Sequence, residues 1–548
     1  VCKRDAYFLP DVSDTKPCTH EPSAMGGAAE EMQSLTAPES TGPVLDERLL
    51  SKLMLHVLPT LWVGYVLNII DRSNLGYAQL QMSHDLELSS SSFGVAAGLF
   101  FLAYATMQVP SNHLLQSVGA VRVLAASMVG WGLASTATSL VQSRLQLCML
   151  RFCLGLAEAG YYPGALLYMT RWFPDAAAGR AVAWFATAAA AGSLLGNLSS
   201  GLILSGLDGA WGVRGWRWLL VLQGIPAVAL GCCVPALLDE RPERARWLGP
   251  SERDALVRAL RGDASSGDAS SGDAPAVAAA RDQHASPSKQ RACGVDSAAD
   301  GVAVHGAAAA TSLSAAVRAC LARPQTWVFM TQYIGVTATT NTVRFFLPSL
   351  LKEAFRWMQP WHIGVVCAVP ALAKVVGTPL VARAADRHRE RRFAIAWGLS
   401  AAAAGLVLGC AAVMLSLGLL RAPQGPLAGV LLIALLAAAD ILAQCAIPTF
   451  WSLHHASQPR HLIPCSIALV NSIGNLGGFL GPSVLGAMHD APYWGGPRCE
   501  PAQQRASGGA CSAQWGWGTA LLGTCFAAIT LLTARSARRL GVGTHATT

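Results

Sequence analysis

The sequence predicts an all-α, polytopic membrane protein with twelve transmembrane helices in two six-helix bundles. Three observations carry that expectation. Asp, Glu, Lys and Arg make up 13% of the 548 residues, about half of the ~25% usual for soluble domains. Mean hydropathy is +0.39, so polar groups are too few to cover the surface and much of it must face lipid. Apolar runs of about 20 residues, long enough to cross ~30 Å of hydrocarbon at ~1.5 Å per residue, recur twelve times, six on each side of a long polar break.

In chain order, residues 1–52 are polar and proline-containing and read as a disordered cytoplasmic tail. The chain starts at Val1, and no signal peptide is expected because residues 1–50 contain no apolar core. The spans of the N-terminal bundle, 53–238, fall at about 55–79, 92–116, 122–142, 145–170, 181–205 and 217–238. Residues 239–322 contain GDASSGDASSGDAPAVAAARD, a low-complexity stretch without apolar periodicity, and read as a disordered cytoplasmic linker. The C-terminal bundle, 323–535, carries spans at about 326–351, 361–384, 392–418, 426–450, 463–488 and 514–534. A short cytoplasmic tail, 536–548, ends the chain.

Basic residues set the orientation. Arg48, Lys52, Arg122, Arg171, Arg180, Arg383, Arg387, Arg389, Arg391 and Arg392 fall on one side, and the opposite loops are poorer, with none at 80–91. Both termini and the linker are therefore expected in the cytoplasm. The membrane itself, plasma or organellar, is not specified. The net charge of +8 comes from these loop clusters and not from one basic face, so no nucleic-acid partner is expected.

The 15 cysteines show no CxxC pair and no His/Cys metal spacing, and most read as small buried apolar groups. Cys499 and Cys511 share one polar loop on the non-cytoplasmic side, where a disulfide is compatible with an oxidising compartment. The sequon at Asn197 falls inside the fifth span and is expected to carry no glycan. There is no nucleophile elbow, phosphate loop or metal-ligand cluster. No enzyme activity, cofactor or metal is expected.

Charges inside the spans point to function. Each costs at least ~2.5 kcal/mol at mid-bilayer and needs a partner, a wet cavity or a task. Asp71 and Arg72 lie about 16 residues into the first span, and Arg151 about six residues into the fourth, which runs the other way. Two arginines from separate helices thus reach similar depth. Glu158 follows Arg151 by two turns on the same stripe, ~10 Å deeper. Gly155 between them leaves room.

Arginine takes a carboxylate bidentately and stays charged. A carboxylic acid can be charged or neutral, and the balance responds to burial and neighbouring charge. Anion binding and proton binding would then be coupled. Tyr65 and Asn68 extend the face of Arg72. The competing reading is an ion-pair lock between two helices. In the second half, Lys374 and Asp440 lie at equal depth and are able to compensate each other, whereas Arg344 either snorkels to the interface or makes a third contact to an anion.

The stretches NIIDRSNLGYA (68–78), QVPSNHLLQSVGAVR (108–122), RFCLGLAEAGYYPG (151–164), AADRHRERR (384–392) and NSIGNLGGFLGP (471–482) resemble the anion:cation symporter branch of the major facilitator superfamily. That branch includes allantoate, nicotinate, tartrate and phthalate permeases. The resemblance spans about Leu53 to Arg535. It implies two six-helix halves working by alternating access, usually with protons. Carried over by motif, Asp71 and Glu158 are proton-coupling acids, Arg72 and Arg151 contact the substrate anion, Tyr104, Asn471 and Asn475 line the cavity, and Asp386 with Arg387 forms a gating motif. The two asparagines also suit helix-helix hydrogen bonding beside Gly474, Gly477 and Gly478.

The chain departs from the branch at Asn341-Thr342, where Tyr-Gly is common, at Tyr161-Tyr162, where paired phenylalanines are usual, and at Lys374 and Asp440, typically uncharged. The expected function is secondary active transport of a small organic anion by a monomer, with a coupling cation, H+. The alternatives are a sodium-coupled or exchange-type carrier of anions or phosphate, and a non-transporting membrane receptor with a retained ligand cavity.

Overall fold

The computed structural model describes residues 46–269, 315–388, 391–419, 426–459, 462–490 and 510–542, and among these there is no β-strand. Helices α1 (Glu47–Asp85), α2 (Ser90–Ser117), α3 (Ala120–Thr138), α4 (Arg144–Glu158), α5 (Tyr161–Trp172), α6 (Asp175–Gly206) and α7 (Gly215–Leu237) build the first half. A peripheral helix, α8 (Pro250–Ala269), follows. The second half holds α9 (Pro324–Ala354), α10 (Pro360–Arg387), α11 (Arg392–Leu419), α12 (Pro426–Cys445), α13 (Ile447–Ser457), α14 (Ile463–Asp490) and α15 (Ala510–Arg539).

Among the described residues, ten helical runs are long and apolar enough to cross a membrane. The other two expected spans fall short for physical reasons. The fourth is divided into α4 and α5, with 15 and 12 residues. The seventh, α9, carries a buried polar row of Gln332, Thr337, Thr339, Thr340, Asn341 and Thr342. The tenth span is also interrupted, between α12 and α13. Pro163 and Pro448 follow the two interruptions, and each lacks the N–H that would bond four residues back.

Local signals fix the helix starts. The Ser89 and Ser143 hydroxyls accept the Ser92 and Gln146 N–H groups at the heads of α2 and α4. Pro324 and Pro360 occupy first-turn positions of α9 and α10.

Three boundaries differ from the sequence expectation. α1 begins inside the expected tail because Leu49, Leu50 and Leu53 are buried. α15 runs to Arg539, past the expected boundary, with Ala537 and then Val542 packed beside Phe329 and Trp397. The expected linker is folded at its start, where Trp247 stacks between His56 and Trp172 at centroid distances of 4.2 and 5.6 Å. Leu256 of α8 is fully buried. Residues 1–45, 270–314 and Cys499 lie outside the described residues.

The Lys52 ammonium holds α8 by bonding the Glu252 carboxylate at 2.6 Å. That bond, with help from the Gly249 N–H, keeps the Glu252 carboxyl below its ordinary value. The sign follows from linkage: the contribution is complete above the unfolded-state value, about 4.3, and is lost as pH falls through the lower folded value. Glu252→Gln is expected to speed tryptic cleavage after Arg258 at pH 8; an unaltered rate would show that the pair does not hold the helix.

The halves meet through α2 on α14, α6 on α10 and α1 on α9. Most of their joining bonds gather at the end remote from Glu47, while the Ser472 hydroxyl donates to Gln108 Oε1 at 3.1 Å nearer the other end. The Ser90 and Ser91 N–H groups donate to the Asp490 carboxylate at 3.2 and 2.6 Å, and Asn197 donates to the Cys367 carbonyl at 2.8 Å. Ser349 donates to Gln79 at 3.0 Å. Gly94, Gly98 and Gly486 let α2 and α14 approach backbone to backbone. A carboxylate at a helix N-terminus stabilises by about 1 kcal/mol. Asp490→Ala should therefore raise maleimide labelling of a cysteine placed at Ser483 about fivefold, and equal labelling would remove Asp490 from the closure.

Candidate functional site

Residues 71 and 72 are neighbours in sequence but lie ~100° apart around α1, so their side chains serve different helices. Arg72 faces α2 and α4. Its Nε donates to Glu158 Oε1 in an ion pair whose carboxylate is fully buried. Its guanidinium carbon lies 4.8 Å from the Tyr104 ring centroid and 5.4 Å from that of Phe100. Arg151, 2% exposed, places its guanidinium carbon 5.0 Å from the same Phe100 centroid. The two guanidinium carbons are therefore within about 10 Å of each other. One aromatic ring contacted by two cations gives each an electrostatic partner that does not consume N–H donors.

Asp71 turns to α3. Its Oδ1 accepts from the Ser135 hydroxyl and, at 2.9 Å, from Asn74 Nδ2. The opening acid and base of the motif thus do not pair with each other. Asp71 and Glu158 are the acids whose charges act on Arg151.

Five buried polar atoms in this cluster have no hydrogen-bond partner among the described residues: Arg151 Nε and Nη2, Glu158 Oε2, Asp71 Oδ2 and Asn68 Oδ1. Most buried polar groups are satisfied. A cluster of unmet donors beside unmet acceptors has the capacity to hold a polar ligand.

Gly155 has a more specific task than leaving room along α4. A Cβ there would run into the Phe100 carbonyl oxygen, so the missing side chain sets α2 and its Phe100 close to Arg151. Gly155→Val should cost about 1–3 kcal/mol through overpacking and weaken ligand binding along with it. Full ligand affinity in this variant would contradict the positional role.

The remaining predicted residues divide. Tyr65 is half-buried, stacked on Phe185 at 4.8 Å and tilted to Tyr162 at 5.4 Å. Arg344 on α9 is half-buried and makes no hydrogen bond or ion pair among the described residues. Asn475 Nδ2 donates to the Asn471 carbonyl and side-chain oxygen at 2.8 and 3.1 Å, so these amides bond within α14. Close helix contact comes instead from Gly474, Gly477 and Gly478, which receive Tyr333, the α9 backbone and Phe101. Lys374 and Asp440 do pair, Nζ to Oδ2 at 2.7 Å, joining α10 to α12.

Asp386 and Arg387 lie apart from the cluster, at the end of α10. Asp386 accepts from Arg392 at 2.8 Å, not from Arg387, which is exposed. Arg392 also bonds the Ala385 carbonyl, so it ties α10 to α11. In the first half the corresponding clasp is Glu240, which accepts the Ala120 and Val121 N–H groups at 2.7 and 3.0 Å and Arg171 at 2.9 Å.

Sequence reasoning missed Phe100, Ser135, Asn74 and Glu240. Phe100 was within reach because it stands one turn before Tyr104 on the same face. Asn74 likewise stands one turn after Asp71.

Comparison with known proteins agrees with this architecture. The family model described as Major Facilitator Superfamily matches residues 61–482. A protein of Agrobacterium vitis named for tartrate transport is 31% identical over 446 residues, 81% of this chain and 86% of its own. A metabolite transport protein named NicT, from Pseudomonas putida, is 31% identical over 442 residues, 81% of this chain and 88% of its own. The crystal structure of a bacterial homologue of the human lysosomal transporter Spinster, inward-facing and unoccupied, superposes with a TM-score of 0.63 at 16% identity, covering 90% of this chain and 99% of that one. The chain is a multi-pass, non-enzymatic transporter and belongs to the major facilitator superfamily.

Proposed function

We propose that the chain moves a small organic carboxylate across a membrane by alternating access and couples that movement to protons. The observation that carries this reading is the buried Arg151 guanidinium, with Nε and Nη2 unpartnered and Arg72 on the same phenylalanine ring. A carboxylate matches the donor fork of arginine geometrically. The relative named for tartrate transport supports an organic anion as cargo.

Glu158 supplies the coupling. While charged it occupies Arg72; a proton on it cancels that ion pair and releases the guanidinium to the substrate. Proton and anion then load together, and neither is favoured alone. Asp71, with one oxygen free and its charge acting on Arg151, is the other acid of the cluster, and the transported proton is assigned to Glu158. Tyr65, Asn68 and Tyr104 complete the first-half wall.

The two bundles, 53–238 and 323–535, rock about this cluster. Asp490 and Asn197 join them at one end, and the clasps at Glu240 and Asp386 brace the helices at the other. Both termini face the cytoplasm, on the basic side, and a monomer in the bilayer suffices. In proteoliposomes, carboxylate uptake should rise with an inward proton gradient and persist when sodium is replaced. Wild-type transport by both Arg151→Ala and Glu158→Gln would refute the assignment, and binding without counterflow would favour a receptor.

A further inference from the structure

The halves are joined on both sides of the contact between Arg72 and Tyr104, and the carrier reading uses only one of the two joints. Bonds at Asp490, Asn197 and Gln79 hold the side remote from Glu47. On the other side, the Ser472 hydroxyl of α14 donates to Gln108 Oε1 of α2 at 3.1 Å. Ser472 and Gln108 are 7% and 3% exposed, so water does not compete for this bond while the two helices touch.

Helical spacing fixes its place. Phe100, Tyr104 and Gln108 stand four residues apart on one stripe of α2. The first two contact the Arg72 guanidinium, and Gln108 lies ~6 Å beyond Tyr104 towards the cytoplasmic end. On α14, Asn471 and Asn475 bond each other, and Ser472 between them reaches across. The two helices run antiparallel: Gly94 meets Pro482, Gly98 meets Phe479, and Gln108 meets Ser472. Backbone packing around the glycines strands no polar group when it forms or parts. The amide is different. Parting the helices at Gln108 exchanges the Ser472 donor for water, whereas closing them without that donor buries an unmet acceptor.

We propose that Gln108 and Ser472 are the cytoplasmic closure of the carrier, a cross-half bond that forms while the site faces away from the cytoplasm and breaks to open it. This rests on the alternating-access reading and adds the residues that set its sidedness. Gln108 is a positioning residue that acts through α14 and does not touch the cargo. Opposing joints at Asp490 and Gln108 give the two bundles one bond to break for each direction of opening.

The test is labelling by a membrane-impermeant maleimide, in vesicles of either orientation, of a cysteine placed at Leu476. That position lies one turn from Ser472 on the same face, on the site side of the bond; the chain without the added cysteine gives the background from native thiols. Ser472→Ala leaves the Gln108 acceptor unmet in the closed arrangement, so labelling from the cytoplasmic side should rise at least about fivefold and labelling from the opposite side should not rise. Gln108→Met combined with Ser472→Ala removes both polar groups at nearly constant volume and should return labelling to within about twofold of wild type. Asp490→Ala should act with the reverse sidedness. Melting temperatures show whether each variant folds, and Gln108→Ala, which removes the bond from its other partner, is expected to act like Ser472→Ala and serves in its place if that variant does not fold. Cytoplasmic labelling that stays at the wild-type level when the bond is removed overturns the closure, as does an equal rise from both sides, which would mean loosened packing. One-sided opening in a chain that neither binds nor exchanges labelled tartrate or nicotinate would support the closure and count against the carrier reading.

Discussion

Arg151→Ala is expected to abolish measurable carboxylate binding. The guanidinium is buried, its Nε and Nη2 have no protein acceptor among the described residues, and Phe100 supports it from one face. Removing one member of a buried, hydrogen-bonded charge pair costs about 2–5 kcal/mol, or roughly 30-fold to several thousandfold in Kd. Part of that cost is the substrate carboxylate left facing Asp71 and Glu158 with a single arginine to offset them. Arg151→Lys separates charge from geometry. An ammonium preserves the sign but not the two-donor fork, so an intermediate loss of affinity is expected. Binding within threefold of wild type in a folded Arg151→Ala protein would place the anion elsewhere.

Glu158→Gln is expected to separate substrate movement from the proton gradient. The amide keeps the shape of a protonated carboxyl and is unable to exchange its proton or pair as an anion with Arg72. Each pH unit across the membrane is worth about 1.4 kcal/mol, so one proton per substrate and a two-unit gradient drive roughly 100-fold accumulation in wild type. In the variant the accumulation ratio should fall to about one, while exchange of substrate for substrate continues. Retained accumulation would move the coupling to Asp71 or Asp440. Loss of exchange as well as accumulation would make Glu158 a binding residue and not a coupling one.

The parts of this arrangement that were legible in the sequence follow from helical periodicity and from the cost of charge in lipid. Arg151 and Glu158 at seven residues' spacing had to share a stripe, and Arg72 had to reach the level of Arg151 from an antiparallel span, although its ion pair is with Glu158, which the same spacing puts ~10 Å deeper. Lys374 and Asp440 at equal depth had to find each other, and they do. What the sequence withheld was azimuth. Asp71 and Arg72 read as an adjacent pair, yet the helix turns them to Ser135 and Glu158. Phe100 carries no charge, so only its place one turn before Tyr104 pointed to the ring that both arginines contact.

Asn471 and Asn475 show the converse limit. The sequence offered a cavity wall or helix-helix hydrogen bonding, and the structure shows a bond between the two amides one turn apart within α14. The linker misled for a different reason: its low-complexity repeat drew attention from Trp247 and Leu256, whose aromatic and apolar surfaces need cover and obtain it.

The central claim is that an arriving carboxylate and a proton on Glu158 compete with one ion pair and therefore bind together. Titration calorimetry of purified protein with a carboxylate, run in buffers of different ionisation enthalpy, measures the protons taken up per anion bound. The account predicts uptake of up to about one proton by wild type and none by Glu158→Gln. A binding heat that does not change with buffer in the wild-type protein, or the same proton uptake in Glu158→Gln, would contradict it.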